Sequence, residues 1–147
     1  MDLKTTLQSD LKDAMRRGEE ARKSTIRMAL TAIKLAEVEK GAHMDEIAYL
    51  AVIQKEIKAR REAIADAERA HRPDLIASAE EEIKILQSYL PTALSQEELE
   101  AVVKAVISEV GATSIRDMGQ VMKTLIPKIQ GRATNDQVSQ VVRRLLQ

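Results

Sequence analysis

Glycine and proline interrupt this chain at intervals that suit helices. Between the interruptions, apolar residues recur every three or four positions, which is the spacing of one helix face, and no stretch shows the alternation of a strand. We expect helices to end at Gly18, Gly41 and Gly111, since glycine readily adopts the left-handed conformation that follows a helix. A further helix should end before Pro91, because a residue that precedes proline is pushed out of the helical region. The sequence therefore predicts an all-α protein of seven helices.

Helix starts are marked by side chains that accept hydrogen bonds from the first backbone amides. These capping residues are Asp45, the capping-box pairs Ser95 with Glu98 and Thr134 with Gln137, and the pair Ser114 with Asp117. The predicted helices span about 3–17, 20–40, 46–70, 74–90 and 96–110, followed by one that begins near 117 and one from 135 to the C-terminus.

The apolar residues are those of packed helices. The chain has 147 residues and contains no Phe, no Trp and two Tyr, so its apolar fraction is almost entirely Ala, Leu, Ile, Val and Met. That mixture favours helices over a β-sandwich. The length suits one domain or two small helical lobes. We predict a two-lobed protein, with a larger N-terminal helical lobe at 1–91 and a small three-helix C-terminal lobe at 92–147.

The absence of Cys excludes disulfides, thiol chemistry and metal sites of the Cys or Cys/His kind. The first residues, MDLKTTLQSDLK, lack the apolar region of a secretion signal, and no run approaches the roughly 18 apolar residues of a membrane span. We therefore expect a soluble, cytoplasmic protein with no membrane partner.

Charge is unevenly distributed although the net charge is zero. Residues 74–110 have a net charge of −6, whereas residues 111–147 have a net charge of +4. A basic C-terminal segment can steer polyanions, although +4 is much less than the charge of a nucleic-acid-binding tail.

The stretch DMGQVMKTLIPKIQGRAT, at 117–134, predicts an amphipathic helix. Its apolar side carries Met118, Met122, Leu125 and Ile129, and its polar side carries Arg116, Gln120, Lys123, Thr124 and Pro127. Because proline lacks an amide, we expect a kink or an early stop at Pro127. Such a break would turn Lys128, Gly131 and Arg132 out of the helix line and leave free amides at the start of the last helix, where anions bind. Gly119 would let another backbone approach closely.

Two interpretations of this stretch stay open on the sequence alone. In the first, the methionines fill a core, Gly119 serves a helix crossing and the lysines are solvated. In the second, a set of cations forms a patch that faces phosphate; its members are Arg116, Lys123, Lys128 and Arg132, joined by Arg143 and Arg144.

A second basic group lies on the second predicted helix. Lys23, Arg27 and Lys34 share one side, bordered by Ile26, Leu30 and Ile33. Long cations beside apolar residues usually snorkel or pair with carboxylates such as Glu37, Glu56 or Glu82, and we favour this interpretation over a binding role. On the third helix, the mixed charges around Lys55, Lys58 and Arg61 favour a solvated face.

Several blocks of the sequence resemble the YqeY family, whose members are stand-alone relatives of the tail domain of the GatB subunit of aspartyl/glutamyl-tRNA amidotransferase. They are STIRMALTAIKLAEVEKG (24–41), QKEIKARREAI (54–64), HRPDL (71–75), YLP (89–91), DMGQVM (117–122) and GRA (131–133). The resemblance implies an all-helical, two-lobed fold whose C-terminal lobe is similar to the GatB tail. It also implies binding of tRNA or of a tRNA-handling protein, because the similar domain helps hold tRNA in the amidotransferase. Thr134 and Ala63 depart from the Asp and Ser that the family pattern leads us to expect.

No catalytic constellation is found. His43 and His71 lie in predicted turns without triad partners, and Glu80, Glu81 and Glu82 lack a matching Glu/His helix that would hold two metals. Nucleotide-binding glycine loops are missing. We predict no catalytic residue, no metal and no cofactor.

The scarcity of aromatic residues excludes base stacking on single strands, so an RNA contact should involve backbone and shape, and no DNA partner is indicated. The leading hypothesis is a noncatalytic tRNA-binding or amidotransferase-associated accessory protein. The alternatives are a protein adaptor that docks on a synthetase or amidotransferase, and a carbon–nitrogen ligase with glutamine as amido donor.

Overall fold

A computed structural model of the chain describes residues 2–41 and 44–147. Over these residues the protein is all-α, as predicted, with seven α-helices and one short 3₁₀ turn at Ile115–Asp117. The helices are α1 (Leu3–Arg17), α2 (Glu20–Lys40), α3 (Glu46–Arg69), α4 (Pro73–Gln87), α5 (Gln96–Val110), α6 (Met118–Ile129) and α7 (Asn135–Leu146). Within the described ranges, no helix combines the length and the hydropathy that a membrane crossing requires.

The predicted helix ends are confirmed in most cases. Gly18 has φ 67°, in the left-handed region, and its amide donates to the last carbonyls of α1. The capping boxes that open α5 and α7 are both present. The end of α4 is different, because the helix stops at Gln87 rather than Leu90. Tyr89 N donates to Leu86 O at 3.1 Å and Leu90 N donates to Gln87 O at 3.1 Å, so the final residues tighten into a turn.

The chain divides into two compact units, residues 1–90 and residues 91–147. Unit 1 contains α1 to α4, which pack around a core of aliphatic side chains and Tyr49. The most deeply buried members are Leu7, Ile26, Ile33, Ile53 and Leu86. Burial of these side chains stabilises the unit, since each removes apolar surface from water.

Unit 1 also contains polar contacts that join distant parts of its chain. Arg60 is 6% exposed, and its guanidinium donates to Glu56 Oε2 and Glu82 Oε2, both at 2.8 Å. Tyr89 donates its hydroxyl proton to Asp10 Oδ2 at 2.5 Å. Burial and this hydrogen bond raise the pKa of Tyr89 above its ordinary value.

Unit 2 contains α5, α6 and α7, and its core consists of Val, Leu and Ile alone. The buried residues are Leu99, Val103, Val106, Val121, Leu125, Ile129, Val138, Val141, Val142 and Leu146. Each of the three helices contacts the other two. This small core holds α6 and α7 with their polar faces outward, which places most of the predicted cationic patch.

Candidate nucleic-acid interface

The turn before α6 is fixed by hydrogen bonds from backbone amides to side chains. Asp117 Oδ2 accepts from Thr113 N at 2.9 Å and from Ser114 N at 3.2 Å, and Ser114 Oγ accepts from Arg116 N at 3.3 Å. The two amides hold the pKa of the Asp117 carboxyl below its usual range. Arg116 is exposed at this turn.

The outward face of α6 carries Gly119, Gln120, Lys123 and Pro127, all of which are exposed. The opposite face carries Val121, Leu125 and Ile129, which are buried, and Met118 and Met122 pack beside them as partly buried residues. The amphipathic helix predicted from the sequence is therefore present. Its outward face combines a cation, an amide side chain and a position without a side chain.

Gly119 has no packing role among the described residues. An ideal Cβ built on it would meet no atom within 4 Å, and its backbone is that of an ordinary helix. The helix crossing that one interpretation assigned to Gly119 is absent. The alternative, that it leaves room for an approaching backbone, is compatible with the open space above it.

α6 does not stop at Pro127. It continues to Ile129 and ends at Gln130, whose φ of 54° is left-handed. The early stop is therefore wrong, and the kink that was its alternative stays a prediction. The missing proline amide removes one backbone hydrogen bond. Ile129 is 2% exposed, and burial of this side chain in the last turn favours the continued helix. Lys128 consequently stays in the last turn and is not turned out of the helix line.

The predicted free amides at the start of α7 are partly used by its capping box. Thr134 N donates to Gln137 Oε1 at 2.9 Å, and Gln137 N donates to Thr134 Oγ1 at 3.1 Å. The hydroxyl of Thr134 thus caps the helix where the family pattern led us to expect Asp. Gly131, which precedes this start, has φ 75° and supplies the left-handed conformation that the turn needs.

Three cations of the predicted patch pair with carboxylates of α5. Lys128 Nζ donates to Glu109 Oε2 at 2.6 Å, and Arg144 pairs with Glu100. Arg132 Nε donates to the carbonyl of Thr92 at 2.8 Å, and its guanidinium lies 3.9 Å from Glu98 Oε2. Arg132 therefore fastens the start of unit 2 to the turn between α6 and α7.

The other three cations of the patch are Arg116, Lys123 and Arg143. All are exposed, and none makes an ion pair within the part of the chain that the structure describes. Arg143 and Arg144 project about 100° apart on α7 because they are consecutive helical residues. Since Arg144 pairs with Glu100 of α5, Arg143 lies on a different side of α7. The patch thus divides into paired and unpaired cations.

The second basic group, on α2, is paired with a carboxylate in part. Lys23 pairs with Glu20 at 3.1 Å, whereas Arg27 and Lys34 are exposed and make no ion pair over residues 2–41 and 44–147. The predicted partners have other contacts: Glu37 accepts from Lys4 and Tyr49, and Arg60 lies between Glu56 and Glu82. Of the predicted apolar border, Ile26 and Ile33 are fully buried.

The sequence analysis missed an apolar row on the outer side of the same helix. Met28, Leu35 and Val38 are 48%, 61% and 71% exposed. The signal was present, since positions 28, 31, 35 and 38 follow the three-and-four spacing of a helix face, with Thr31 completing the row.

In the described ranges, no group of three His, Cys, Asp or Glu side chains could hold a metal ion. His71 is exposed at a left-handed turn, with φ 54°. His43 lies outside the described residues.

The fold and this surface define a class of small all-α proteins in which a three-helix unit presents cations on its exposed helix faces. The chain belongs to the YqeY family, because the family model for the Yqey-like protein matches residues 4–146. This match covers nearly the whole chain and includes both units.

Several curated relatives share one name, "Altered inheritance of mitochondria protein 41, mitochondrial". That of Vanderwaltozyma polyspora is 37% identical over 95 residues, which are 62% of this chain and 51% of the relative. That of Kluyveromyces lactis is 38% identical over 107 residues, 70% of this chain and 57% of the relative. That of Pyrenophora tritici-repentis is 30% identical over 135 residues, 89% of this chain and 73% of the relative. The aligned region is thus little more than half of the first two relatives.

The predicted cytoplasmic location is wrong by this comparison, because the relatives are named as mitochondrial proteins. The prediction of a cytoplasmic location was based on the absence of Cys and of the apolar region of a secretion signal. Neither property separates a cytoplasmic protein from a mitochondrial one.

Proposed function

We propose that this protein is a noncatalytic tRNA-binding accessory protein, and that unit 2 contacts the sugar–phosphate backbone with the outward face of α6. Membership of the YqeY family supports the proposal, since the family resembles the tail domain that helps hold tRNA in the amidotransferase. The observation that carries it is the exposed surface of α6, where Lys123 lies one turn from a glycine that no neighbour requires.

The unpaired cations are the proposed phosphate contacts. Arg116, Lys123 and Arg143 can bind a phosphate without giving up an ion pair, whereas Lys128 would have to leave Glu109. Exposed ion pairs contribute about 0–1 kcal/mol, so Lys128 and Arg144 can exchange partners at small cost. Arg132 is assigned a structural role, because its hydrogen bond to Thr92 O holds the backbone of unit 2.

The proposed contact is to backbone and shape. Unit 2 contains no aromatic residue on which a base could stack, whereas Lys and Arg side chains bind phosphate oxygens without regard to sequence. The absence of a side chain at Gly119 lets a ribose or phosphate approach the backbone of α6. A folded tRNA offers such a surface along its helical arms.

The test is binding of the full chain to deacylated bulk tRNA between 50 and 200 mM KCl. Neutralisation of three phosphates predicts a slope of log K against log salt of roughly −2 to −3. The double variant Arg116→Glu with Lys123→Glu should weaken binding and reduce the slope by about one per residue. Lys104→Glu on α5 is the matched control, because Lys104 is also exposed in unit 2 but belongs to another helix.

Unchanged tRNA affinity in the double variant, with the fold verified by circular dichroism, would reject this interface. Equal loss in Lys104→Glu would show that only the net charge of unit 2 matters. Incubation of the purified chain with misacylated tRNA and glutamine should give no amidated product. Glutamine-dependent amidation would replace the noncatalytic role with the ligase alternative.

A further inference from the structure

We infer that the outer face of α2 is a docking surface for an amphipathic helix of another protein, one that carries carboxylates along one side of its apolar row. The surface is called the α2 stripe and consists of Met28, Leu35 and Val38. The row of cations beside it consists of Arg27 and Lys34. The inference concerns unit 1 and is independent of the proposed tRNA contact.

The α2 stripe is continuous along the helix. At about 100° per residue, its three side chains fall within roughly 80° of each other. Met28 and Val38 are ten positions apart, which corresponds to a length of about 15 Å. Over the described residues, six large apolar side chains are markedly exposed. Four of them lie on α1 and α2: Met15 on α1 and the three residues of the stripe on α2. Single exposed apolar residues are ordinary, but a row on one helix is typical of an interface.

The described residues of unit 1 leave this face exposed. The core side of α2 carries Thr25, Ile26, Ala29 and Ile33, all fully buried, so α2 is already packed on its other side. The Met28 side chain is 48% exposed, and its sulfur lies 3.6 Å from Arg60 Nη2. Arg60 is neutralised by Glu56 and Glu82, so it contributes little charge to the outer face.

The two cations beside the stripe, Arg27 and Lys34, favour a partner helix that carries carboxylates. Arg27 and Lys34 lie about 20–40° beyond Val38 on the helix wheel, and neither has a carboxylate partner within the described chain. Arg27 extends over α1, where its Nη2 lies 3.8 Å from Met15 Sδ. A helix that packs on the stripe would therefore bring its own flanking residues against two unpaired cations. Carboxylates at those positions complement them, as at the flanks of a coiled coil.

A second copy of this chain fits the surface poorly. In an antiparallel two-fold pair, each flank faces the same flank of the other copy, so Arg27 and Lys34 would face one another. In a parallel pair, Arg27 and Lys34 of one copy would instead face the opposite side of the other copy's stripe, which is bordered by Ala32 and Glu39. Neither arrangement gives both cations a carboxylate.

A membrane surface is a poorer match as well. Helices that lie on membranes commonly insert Trp or Phe between rows of cations. This chain has neither residue. The α2 stripe is a single narrow row of aliphatic and thioether side chains, and the other side of α2 is already packed. A row of this width fits the apolar row of one partner helix.

The test uses two designed helical peptides of about 18 residues with the same leucine row. One carries Glu at the positions that flank the row, and the other carries Lys. The full chain, labelled with ¹⁵N, should bind the Glu peptide at least tenfold more tightly than the Lys peptide. Amide shifts should be confined to α2 from Met28 to Glu39 and to neighbouring positions of α1.

Variants of exposed residues distinguish the surface from general stickiness. Leu35→Asp with Val38→Asp should abolish binding of the Glu peptide, and Arg27→Glu with Lys34→Glu should reverse the preference in favour of the Lys peptide. Leu75→Asp is the control, since Leu75 is 48% exposed on α4 of the same unit. All of these side chains are exposed, and circular dichroism confirms that each variant is folded.

Equal binding of the two peptides, or shifts that map outside α2 and α1, would overturn the inference. Sedimentation should give a monomer; a dimer that Leu35→Asp dissociates would identify a second copy as the occupant. Co-sedimentation with phosphatidylserine vesicles that depends on Leu35 and Val38 would identify a membrane instead. Each of these outcomes would reject the helix partner.

Discussion

The two units of this protein use charge in different ways. Unit 1 buries Arg60 among carboxylates, encloses the hydroxyl group of Thr25 and ties Tyr89 to Asp10. Unit 2, which the structure describes completely, buries only Val, Leu and Ile. Its charged side chains therefore lie on the surface, where several of them form exposed ion pairs with α5.

This difference separates charge that holds the fold from charge that is available for binding. A buried cation in unit 1 cannot leave its carboxylates without a large loss, because the abandoned charges would stay desolvated. The exposed cations of unit 2 exchange partners cheaply. The proposed polyanion surface therefore uses exposed cations of the smaller unit, although the larger unit also has exposed cations without an ion pair over the described residues, namely Arg27 and Lys34.

The largest expected effect comes from the core of unit 2. Leu125→Ala should reduce the free energy of unfolding by about 4 kcal/mol, because Leu125 is fully buried and its removal leaves a cavity. Hydrogen exchange should show the loss in α5, α6 and α7. The matched variant Ile33→Ala should reduce protection in α1 to α4. If each variant lowered protection equally in both units, the comparison between them would fail.

The next effect tests the buried cation of unit 1. Arg60→Ala should cost about 3 kcal/mol, because it leaves Glu56 and Glu82 without their shared partner. Urea unfolding measures the loss. Arg61→Ala, at the exposed neighbouring position, should change stability by no more than about 0.5 kcal/mol. Similar values for the two variants would mean that the Arg60 network does not hold the unit together.

A smaller and opposite effect is expected at Thr25. Its Oγ1 is buried and has no hydrogen-bond partner in the described part of the chain. Thr25→Val keeps the shape and removes the unsatisfied hydroxyl, so unfolding should cost about 1 kcal/mol more. Thr31→Val is the control, because the Thr31 hydroxyl donates to Arg27 O at 2.9 Å and is exposed. Destabilisation by Thr25→Val would show that the hydroxyl is satisfied.

The smallest effects concern two carboxylates with lowered pKa values. Arg22 lowers the pKa of Asp13 in unit 1, and the amides of Thr113 and Ser114 lower the pKa of Asp117 in unit 2. For both groups, stabilisation is present above the unfolded pKa of about 3.9 and is lost as the pH falls through the lower folded value.

NMR titration at low and high salt distinguishes the two causes. Salt screens the guanidinium, so 1 M KCl should move the pKa of Asp13 back toward 3.9, whereas that of Asp117 should change little. Asp117→Asn should remove the titration seen at the amides of Thr113 and Ser114. A titration midpoint of Asp117 at or above 3.9 would contradict the role of those amides.

The helices could be predicted because their signals are local. Gly18, Asp45 and the capping boxes of Ser95 and Thr134 each act within a few residues, and the structure has helix ends beside all of them. At Pro127 the early stop, one of the two expected outcomes, does not occur, because the local effect of proline competes with burial. One lost hydrogen bond in a last turn is a smaller effect than the packing of Leu125 and Ile129.

Which cations of the candidate site form ion pairs or hydrogen bonds could not be predicted, because these contacts join residues far apart in sequence. Arg132 reaches a carbonyl 40 positions away, and Arg144 pairs with a carboxylate 44 positions away. A helix wheel identifies residues that share a face but not what lies across from them. The predicted patch combined Lys123 with Lys128, whereas of these two only Lys128 forms an ion pair in the structure, with Glu109.

Whether the outward face of α6 binds tRNA is tested most directly by Gly119→Leu. The added side chain meets open space, and leucine is a better helix former than glycine by roughly 0.5–1 kcal/mol, so the fold should be as stable as before or more stable. Affinity for tRNA should fall about tenfold or more, a loss of about 1.4 kcal/mol, while Ala105→Leu on the exposed side of α5 leaves it unchanged. Wild-type affinity in a folded Gly119→Leu protein would contradict the proposed interface.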